Sequence, residues 1–590
     1  MCGIIGYIGK KDDAIKVAID GLKRLEYRGY DSCGLCYLDK DEFVTVKAVG
    51  AISSLENKLG EKKKSSMCIG HTRWATHGGA NEVNSHPHSM GEFGIVHNGI
   101  IENYMEIKEE LQKNGYIFKS ETDTEVAVAL IDYLYKKEKD VLKVLESFKK
   151  KANGSYAIVI IHEGDYDRLF AIKNMSPLIV GIGENENYLA SDVPAILDRT
   201  NRYATLNDGE IVIVSKDEVQ LFDNEGRRKV LEVKTFMGDS TSIDKGEYEH
   251  FMLKEIHEEP DIVRRLLSIY LAEDKLSTLP DLEKFRNVAI VACGSAMHAG
   301  LVGKYMIEDM LGRPVSVEVA SEFRYKKLFL NSDDVVIAIS QSGETADTLA
   351  AVKIAKELGA HTIGIVNVKE SSIAREVDEV VYTLAGSEIA VATTKAYLAQ
   401  LVVLYLIALS KRQVDIASIM KLPIVLEELL DQAIVYDRIA EDIKGEDDIF
   451  FIGRQRDYAI CMEGSLKLKE ISYVHSEAYA AGELKHGTIS LISEGTPVFA
   501  VITDASIAPK TISNIKEVKS RGAKVILLVS SSIDTDGDFY DEKIVISKVG
   551  GYGETVASVI PLQLIAYFVA KKRGCSIDKP RNLAKSVTVE

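Results

Sequence analysis

Cys2 directly follows the first methionine, and a cysteine at a chain terminus can act as a nucleophile. Because its side chain is small, we expect Met1 to be removed, which leaves Cys2 with its own free α-amine. That amine titrates near pH ~8, so it can take the proton of the thiol directly or through a water. Many proteins carry a small second residue, so Cys2 by itself gives only a candidate nucleophile.

Four segments rich in histidine, asparagine and acidic residues follow Cys2 near the start of the chain. They read HTRWATHG at 71–78, NSHPH at 84–88, HNGIIEN at 97–103 and ETDTE at 121–125. In this order they resemble the N-terminal-nucleophile (class II) glutamine amidotransferases, and the resemblance runs through the whole first domain. It implies that this domain releases ammonia from the side-chain amide of glutamine.

The chemistry of amide hydrolysis accounts for two of these residues. Attack of the Cys2 thiolate on a carboxamide creates an oxyanion, which needs fixed N–H donors. By resemblance, these donors are the side chain of Asn98 and the backbone amide of Gly99.

The glutamine substrate also carries an α-carboxylate and an α-ammonium group. The resemblance implies that Arg73 binds the carboxylate and Asp123 the ammonium, with Thr76 and His77 beside them. An arginine suits this role because its planar guanidinium can bind both carboxylate oxygens. The resemblance also gives Trp74 a role as the gate of an ammonia passage, whereas filling of the core is the ordinary role of such an aromatic residue.

Two other interpretations of this region are metal binding and redox chemistry. Five of the twelve histidines lie between 71 and 97, but their spacing matches no helical histidine pair or zinc signature. Cys33 and Cys36 have redox or half-zinc spacing, yet no second pair accompanies them, so we predict ordinary buried cysteines. We therefore expect no metal.

A second candidate site follows an apolar strand predicted at 335–339. The residues Ser340-Gln341-Ser342-Gly343-Glu344-Thr345 come next and a predicted helix, 346–358, follows them. Hydroxyls and backbone N–H groups at a helix N-terminus, after the carboxyl end of a strand, make an anion site in an open α/β sheet. A simple Ser/Thr helix cap is the alternative for an isolated motif of this kind.

The longer segment ISQSGETADTLA, residues 339–350, resembles the sugar isomerase (SIS) domain nearly residue for residue. The resemblance implies a phosphate-binding loop and, in the VATTKA segment, two residues that line the sugar site. The implied phosphate-binding residues are Ser340, Gln341, Ser342 and Thr345, and the implied sugar-lining residues are Val391 and Thr393.

The chain departs from the common SIS pattern at one position. The family commonly has the run Cys-Gly-Thr-Ser after the first strand, whereas this chain has Cys293-Gly294-Ser295-Ala296. Ala296 stands where a sugar-contacting serine usually lies, so we expect weaker sugar binding at most and no loss of activity.

Two C-terminal segments carry further charged residues, GSLKLKEISYVHSEAYAAGELKHG at 464–487 and the tail at 578–590. Lys467 and Glu470 are three residues apart, so on a helix they share a face, where a solvated salt bridge is the commoner outcome. Both segments resemble the fructose-6-phosphate aminotransferases. Without that resemblance Lys585 would be interpreted as a solvated tail lysine.

The resemblance implies a role for each residue of the sugar site. Lys585 forms a Schiff base with the ketose and Ala584 lies beside the sugar, while Glu470 moves the proton between C1 and C2 with help from Lys467. His486 opens the sugar ring and reaches the site from the neighbouring subunit, which implies a homodimer.

The predicted fold class is an α+β N-terminal-nucleophile domain, an αββα sandwich by resemblance, followed by two α/β SIS domains with parallel sheets. We interpret the second half as a repeat, because NVAIVACGS resembles DDIFFIGRQ and AVKIAKELGAHTIGIV resembles NIKEVKSRGAKVILLV at nearly constant offsets. A chance match of two βαβ units is the alternative. The predicted divisions are a glutaminase domain at 1–239, a linker and connecting helix at 240–279, SIS domains at 280–420 and 440–575, and a closing tail at 576–590.

Composition limits the other classes of function. The net charge of −17 argues against sequence-independent nucleic-acid binding, which needs a basic face. The two longest apolar stretches, 396–409 and 556–570, fall short of a membrane span or are interrupted, so we predict buried helices and no membrane partner. The start of the chain lacks the pattern of a signal peptide, and seven scattered cysteines indicate a reducing compartment, so we predict a cytoplasmic protein.

Taken together, the resemblances imply one activity that uses both halves of the chain. Fructose 6-phosphate and glutamine become glucosamine 6-phosphate and glutamate, by glutamine hydrolysis at Cys2, channelled ammonia transfer and ketose-to-aldose isomerisation, as the first step towards UDP-N-acetylglucosamine. This chemistry needs no cofactor. The alternatives are an amidotransferase acting on phosphoribosyl pyrophosphate, a sugar-phosphate sensor without turnover, and a catabolic deglycase that uses no glutamine.

Overall fold

The computed structural model describes residues 2–40, 42–60, 63–75, 78–236, 244–410 and 416–588. The chain divides into two compact units, which are Met1–Thr241 with Ser586–Glu590, and Ser242–Lys585. The predicted linker around Gly238–Glu247 lies mostly outside the described residues, as do the predicted site residues Thr76 and His77.

The first unit contains short helices and antiparallel strands. Its strands are β1 Gly3–Gly9, β2 Ser32–Asp39, β3 Glu42–Val49, β4 Met67–Arg73, β5 His88–Met90, β6 Phe93–Ile101, β7 Gly154–His162, β8 Asp165–Asn174, β9 Ile179–Ile182, β10 Glu186–Ala190, β11 Arg202–Thr205, β12 Ile211–Val214, β13 Val219–Phe222, β14 Arg228–Lys229 and β15 Lys234–Thr235. Its helices are α1 Ala14–Leu25, α2 Ile52–Leu59, α3 Tyr104–Lys113, α4 Asp123–Glu138 and α5 Val141–Lys151.

These elements form four layers. Within the described residues, one antiparallel sheet has the order β15-β11-β9-β10-β1-β4-β2-β3 and the other has the order β14-β13-β12-β8-β7-β6-β5. One apolar cluster lies between the two sheets, while α1 and α2 cover the outer face of the first sheet and α3 to α5 that of the second. Strands buried on both faces are almost continuously apolar, as β7 illustrates with GSYAIVIIH.

The second unit alternates parallel strands with helices. Its strands are β16 Asn287–Ala292, β17 Val315–Val319, β18 Asp334–Ser340, β19 His361–Val366, β20 Glu379–Tyr382, β21 Asp448–Gly453, β22 His475–Ala480, β23 Pro497–Ile502, β24 Lys524–Ser530 and β25 Glu542–Ile546. Its helices are α6 Phe251–His257, α7 Glu259–Tyr270, α8 Gly294–Leu311, α9 Ala320–Phe323, α10 Ala346–Glu357, α11 Ser372–Glu376, α12 Lys395–Leu409, α13 Ile416–Ile419, α14 Leu422–Leu430, α15 Ala433–Ile443, α16 Arg456–Ser472, α17 Ala508–Lys519, α18 Gly553–Ala557 and α19 Val559–Lys572.

The two sheets of this unit share one topology. Their strand orders, β17-β16-β18-β19-β20 and β22-β21-β23-β24-β25, both follow the pattern 2-1-3-4-5 within their own repeat, and every pair of neighbouring strands is parallel. Together with the antiparallel sandwich of the first unit, these sheets confirm the predicted fold class. The pattern has its topological switch point between the first and third strands, where ligands bind in such sheets.

The core of the second unit encloses its most apolar helices. Every residue of α12 is buried, which explains why the stretch 396–409 is apolar on all sides. The helical stretch Gly553–Lys572 is apolar and long enough to cross a membrane by length and composition, but 94% of its apolar window is buried inside the unit. Packing within the unit therefore accounts for both stretches.

The predicted connecting segment is helical and consists of two helices. The sequence predicts a helical segment over 248–271, and the structure has α6 and α7 there, which meet at Glu258. Pro260 lies in the first turn of α7, where its missing N–H is tolerated, and a helix running through this position would lose a backbone hydrogen bond there.

Candidate functional site

Cys2 lies immediately before β1 in the first unit and is half-buried. The backbone N–H of Trp74 donates to Cys2 Sγ at 3.3 Å, and the Trp74 carbonyl oxygen lies 3.5 Å from the same sulfur. Burial raises the pKa of the Cys2 thiol, so the resting sulfur is protonated and needs a base before it can attack.

Asn98 lies on β6 and faces the backbone of Cys2. Its Nδ2 donates to the Cys2 carbonyl oxygen at 2.9 Å, and its Oδ1 lies 3.1 Å from His71 Nε2. Burial lowers the pKa of His71 to about 3, so this ring is neutral, and an N–H at Nε2 fits both Asn98 Oδ1 and the carbonyl oxygen of His97 at 2.9 Å. His71 therefore orients the amide of Asn98, a role that the motif does not indicate.

Gly99 follows Asn98 with a backbone that favours glycine. Its φ is +123°, and a Cβ at this position would lie 2.0 Å from the carbonyl oxygen of Ser155 on the neighbouring strand. A larger residue would push β6 away from β7 and displace the amides next to Cys2.

Arg73 and Asp123 supply buried charges near Cys2. Arg73 is 3% exposed, and its guanidinium donates to the carbonyl oxygens of Gly78 at 3.1 Å and Gly79 at 3.3 Å. Burial lowers the pKa of Arg73, while the charges of Cys2 and Asp123 among others oppose this shift. One oxygen of Asp123 accepts the N–H of Ile101 at 2.8 Å, at the start of α4.

Packing accounts for His86, Cys33 and Cys36 in this unit. His71 and His86 stack with ring centroids 4.1 Å apart, and burial lowers the pKa of His86 far below its usual value. Among the described residues, no group of three or more His, Cys, Asp or Glu side chains is arranged to hold a metal ion. Cys33 and Cys36 lie three residues apart on a strand, so their free thiols enter apolar clusters on opposite faces of the sheet.

The second candidate site is a cavity of about 150 Å³ at the carboxyl edge of the first parallel sheet. It lies at the switch point, because the loops after β16 and β18 form part of its wall. Most of the predicted sugar-site residues line it, namely Ser340, Gln341, Ser342, Thr345, Val391, Thr393, Glu470, Ala584 and Lys585. Cys293, Ser295 and Ala296 line it as well.

The loop after β18 is held by its own side chains. Ser340 Oγ lies 2.9 Å from Thr345 Oγ1 and accepts the N–H of Gly343 at 3.0 Å. Glu344 accepts the N–H of Ser372 at 2.8 Å and its hydroxyl at 2.7 Å, which ties the loop to α11. Hydroxyls and the N-terminus of α10 therefore meet at the cavity, which suits a phosphate group.

Lys467 is buried and pairs with the half-buried Glu470, so the two do not form the solvated salt bridge that such spacing commonly gives. Lys467 is 1% exposed on α16, and its Nζ lies 2.5 Å from Glu470 and 3.2 Å from Ser295 Oγ. Burial opposes the charge of Lys467, but Glu470 and Glu463 outweigh it and raise its pKa. Lys467 is therefore an ammonium at neutral pH.

Glu463 is a site residue that the sequence patterns did not indicate. It accepts a hydrogen bond from Ser295 Oγ at 2.8 Å and lies 2.8 Å from His298 Nδ1, both on α8 of the first repeat. The hydroxyl of Ser295 thus donates to Glu463 and accepts from Lys467, so both of its hydrogen bonds are made within the protein. Ala296, the next residue, has no hydroxyl.

The tail that carries Lys585 is fixed to the connecting helix. The carboxylate of Asp578 accepts the N–H groups of Phe251 at 2.9 Å and Met252 at 3.0 Å at the start of α6. The carbonyl oxygen of Asp578 accepts the N–H of Val391 at 3.0 Å. Lys585 itself pairs with Glu388, a second residue that the patterns did not indicate, and donates to Thr393 Oγ1 at 3.1 Å.

His486 is placed apart from the other predicted sugar-site residues. It is exposed, at the end of a short 3₁₀ turn spanning Leu484–His486, and it does not line the cavity. Lys467 is buried behind the wall, where it contacts Glu470 and Ser295. The subunit therefore brings Lys585 and Glu470 together without His486.

Family models match both units. A model described as a glutamine amidotransferase domain matches residues 71–198, and a model of the SIS domain matches residues 281–410 and 442–570. The second match covers both repeats of parallel strands.

Named relatives match the whole length of the chain. A protein of Clostridium tetani named glutamine–fructose-6-phosphate aminotransferase [isomerizing] is 48% identical over 611 residues, with all of both chains covered. A protein of Caldanaerobacter subterraneus subsp. tengcongensis with the same name is 48% identical over 616 residues, again with full coverage. The solved C-terminal domain of glucosamine-fructose-6-phosphate aminotransferase from Francisella tularensis is 36% identical, covers 57% of this chain and 99% of that one, and has a TM-score of 0.54.

Proposed function

The chain belongs to the glutamine–fructose-6-phosphate aminotransferase (isomerising) family, and from this premise we propose that it converts D-fructose 6-phosphate and L-glutamine into D-glucosamine 6-phosphate and L-glutamate. The cavity at the carboxyl edge of the first parallel sheet carries the proposal. In that cavity, Lys585 and Glu470 lie beside the loop that we assign to the phosphate. In the first unit of the same chain, Cys2 lies among fixed N–H donors.

The first half-reaction takes place at Cys2. Its α-amine takes the thiol proton, the thiolate attacks the glutamine carboxamide, and ammonia leaves from a tetrahedral intermediate whose oxyanion is bound by Asn98 and Gly99. Water then releases glutamate from the thioester. The position of Asn98 Nδ2, 2.9 Å from the Cys2 backbone, supports this role.

Glutamine is held at its α-carbon end by Arg73 and Asp123, together with Thr76 and His77. The burial of the Arg73 guanidinium favours this assignment, because a buried cation gains most from a carboxylate partner. Trp74 gates the ammonia passage, and its backbone contacts with Cys2 Sγ couple its position to the nucleophile.

The second half-reaction takes place in the cavity. The phosphate binds the loop formed by Ser340, Gln341, Ser342 and Thr345, and Val391, Thr393 and Ala584 line the sugar site. Lys585 forms a Schiff base at C2 of the open-chain ketose, and ammonia replaces it there. Glu470 then takes a proton from C1 and C2 gains one, so C1 becomes the aldehyde, and Lys467 assists the proton transfer.

Ring opening is assigned to His486 of a second subunit. The exposure of His486 and its position outside the cavity of its own subunit support an arrangement in which a homodimer completes the site. The substrates are two small molecules, with no cofactor, nucleic acid or membrane involved, and the enzyme works in the cytoplasm at the first step of amino-sugar synthesis. The chain is organised as a glutaminase domain at 1–239, a linker and connecting helix at 240–279, SIS domains at 280–420 and 440–575, and a tail at 576–590 that closes the sugar site.

A pair of variants tests this assignment, each serving as the control of the other. Cys2→Ala is expected to lower glutamine-dependent glucosamine 6-phosphate synthesis by about a thousandfold or more while ammonium still supports synthesis. Lys585→Ala is expected to lose synthesis from both nitrogen sources and to keep glutamine hydrolysis. Unchanged synthesis in Lys585→Ala, measured by mass spectrometry of the sugar product, would contradict the assignment of the second site and favour a sugar-phosphate sensor.

A further inference from the structure

Glu388 is a buried carboxylate beside the cavity that the proposed mechanism leaves without a role. It lies in the loop between β20 and α12, is 5% exposed, and does not line the cavity itself. Its Oε1 accepts the N–H groups of Thr394 and Ala396, both at 3.0 Å, at the first turn of α12. Because α12 is buried along its whole length, this oxygen is held on a rigid element.

The second oxygen of Glu388 is directed at the Schiff-base lysine. Oε2 pairs with Lys585 Nζ and accepts the hydroxyl of Thr393 at 2.7 Å, while Lys585 Nζ also donates to Thr393 Oγ1 at 3.1 Å. The side chains of Lys585 and Glu388 are 3% and 0% exposed in this pair. Glu388, Thr393 and Lys585 thus contact one another in a closed triangle. Lys585 is the positively charged member of the triangle, and it lines the cavity.

The charge balance around the triangle favours a single ion pair. Burial opposes ionisation of Glu388, but the Lys585 ammonium outweighs it and lowers the pKa of Glu388 to about 2. Burial, together with the charge of Glu388, raises the pKa of the adjacent Glu255 to about 8, so Glu255 is mostly protonated at neutral pH. Glu255 Oε1 accepts the N–H of Ile389 at 2.5 Å and thereby holds the same loop. Lys395, which also faces this group, is paired with Glu258 at 2.6 Å.

We propose that Glu388 is the positioning residue of the Schiff-base step, which aims Lys585 Nζ into the sugar cavity by pairing with it from behind. The inference rests on the proposed function, because it assigns a role within that reaction. In the step, the Lys585 ammonium gives one proton that ends on the C2 carbonyl oxygen, and the neutral amine adds to C2. A second proton then passes from the nitrogen to the same oxygen, which leaves as water while the protonated imine remains. Glu388 and Thr393 hold the nitrogen in place before the sugar arrives, which shortens the search for a productive geometry.

The positioning role predicts that substitution of Glu388 lowers kcat for sugar amination much more than it changes KM for fructose 6-phosphate. Glu388→Gln keeps the size of the side chain and an oxygen for Thr394 and Ala396, but it removes the charge that holds Lys585. We expect kcat for sugar amination to fall about thirtyfold or more, with KM for fructose 6-phosphate changed less than about threefold, because the phosphate loop is untouched. Glutamine hydrolysis should stay as in the parent.

The direct measurement is trapping of the Schiff base with borohydride in the full-length enzyme, with fructose 6-phosphate present and peptide mass spectrometry at Lys585. Glu388→Gln is expected to trap about tenfold less sugar than the parent, and Glu388→Asp, which restores the charge, is expected to recover part of the loss. The control is Glu258→Gln, which breaks the neighbouring pair between the half-buried Glu258 and the buried Lys395 and should trap sugar as the parent does.

The outcomes separate the two proposals. Equal trapping in the parent and Glu388→Gln would overturn the positioning role and leave the proposed function standing. An equal loss in Glu258→Gln would also overturn it, because loss of any ion pair near the start of α12 would then suffice. If the parent itself traps no sugar and makes no glucosamine 6-phosphate, the proposed function fails and the positioning role fails with it. If Glu388→Gln does not fold, Glu388→Asp provides the test, because its shorter side chain moves the carboxylate away from Lys585. A trapping yield and a kcat equal to those of the parent would then contradict the positioning role.

Discussion

At the residue scale, both sites use short polar side chains that other side chains hold in place. Asn98 is oriented by the neutral His71, and Ser340 is fixed by Thr345 and by the amide of Gly343. Such groups cost little reorganisation during the reaction, because their hydrogen bonds already exist before substrate binds. The two lysines of the sugar site differ in their access to the cavity, since Lys585 lines it whereas Lys467 is buried behind its wall.

Substitution of Asn98 tests the glutaminase site at this scale. Asn98→Asp removes the N–H donor and keeps the shape of the side chain, so we expect kcat for glutamine hydrolysis to fall about 10²–10³-fold. Ammonium-dependent glucosamine 6-phosphate synthesis should be unaffected. Asn103→Asp is the control, because Asn103 donates to Lys151 on the surface, away from Cys2. A parental rate of glutamate release in Asn98→Asp would rule out its role as an oxyanion donor.

At the element scale, the phosphate site depends on the turn that joins β18 to α10. Gly343 has a φ of +66°, and a Cβ there would lie 1.9 Å from Ser371 Oγ at the start of α11. The turn therefore places the loop amides only when this position lacks a side chain.

The variant Gly343→Ala should therefore weaken sugar-phosphate binding. Backbone strain of about 1–2 kcal/mol, together with displacement of the loop, is expected to raise KM for fructose 6-phosphate about tenfold or more. Gly359→Ala provides the matched control at the other end of α10, because Gly359 also has a positive φ, +84°, but a Cβ there would meet no atom of the described residues within 4 Å. The two variants are compared by steady-state kinetics with ammonium as nitrogen donor, and equal KM values would refute the importance of the turn.

Local patterns predicted the elements that carry the sites, and long-range contacts determined the rest. The phosphate loop at Ser340–Thr345 could be predicted because the sequence signals for its strand, turn and helix are adjacent in the chain. Glu388 and Glu463 were missed because their partners, Lys585 and Ser295, lie 197 and 168 residues away. The helical segment at 248–271 was predicted without its internal boundary, which lies at Glu258, just before Pro260 in the first turn of α7.

At the scale of the whole molecule, the repeat explains how one unit builds a single sugar cavity. The loop after β18 carries hydroxyls, whereas the corresponding loop after β23 carries Asp504, a carboxylate that disfavours a phosphate. The second repeat contributes α16 instead, whose Glu463 and Lys467 contact α8 and whose Glu470 lines the cavity. Duplication thus supplied part of the cavity wall, and the named relatives confirm the family that the motifs indicate.

The net charge of −17 is compatible with an anionic sugar phosphate and with glutamine, a zwitterion without net charge. The charges that face substrate are local, and the phosphate loop uses hydroxyls and a helix N-terminus without requiring a basic protein surface.

The most direct test of the account is the fate of the glutamine amide nitrogen. Purified protein is given fructose 6-phosphate and glutamine with a heavy-isotope amide nitrogen, in a large excess of ordinary ammonium, and the sugar product is analysed by mass spectrometry. We predict heavy glucosamine 6-phosphate in amounts that match the glutamate released. Glutamate without an aminated sugar would contradict the assigned acceptor, and a product that carries only ordinary nitrogen would contradict channelled transfer from Cys2.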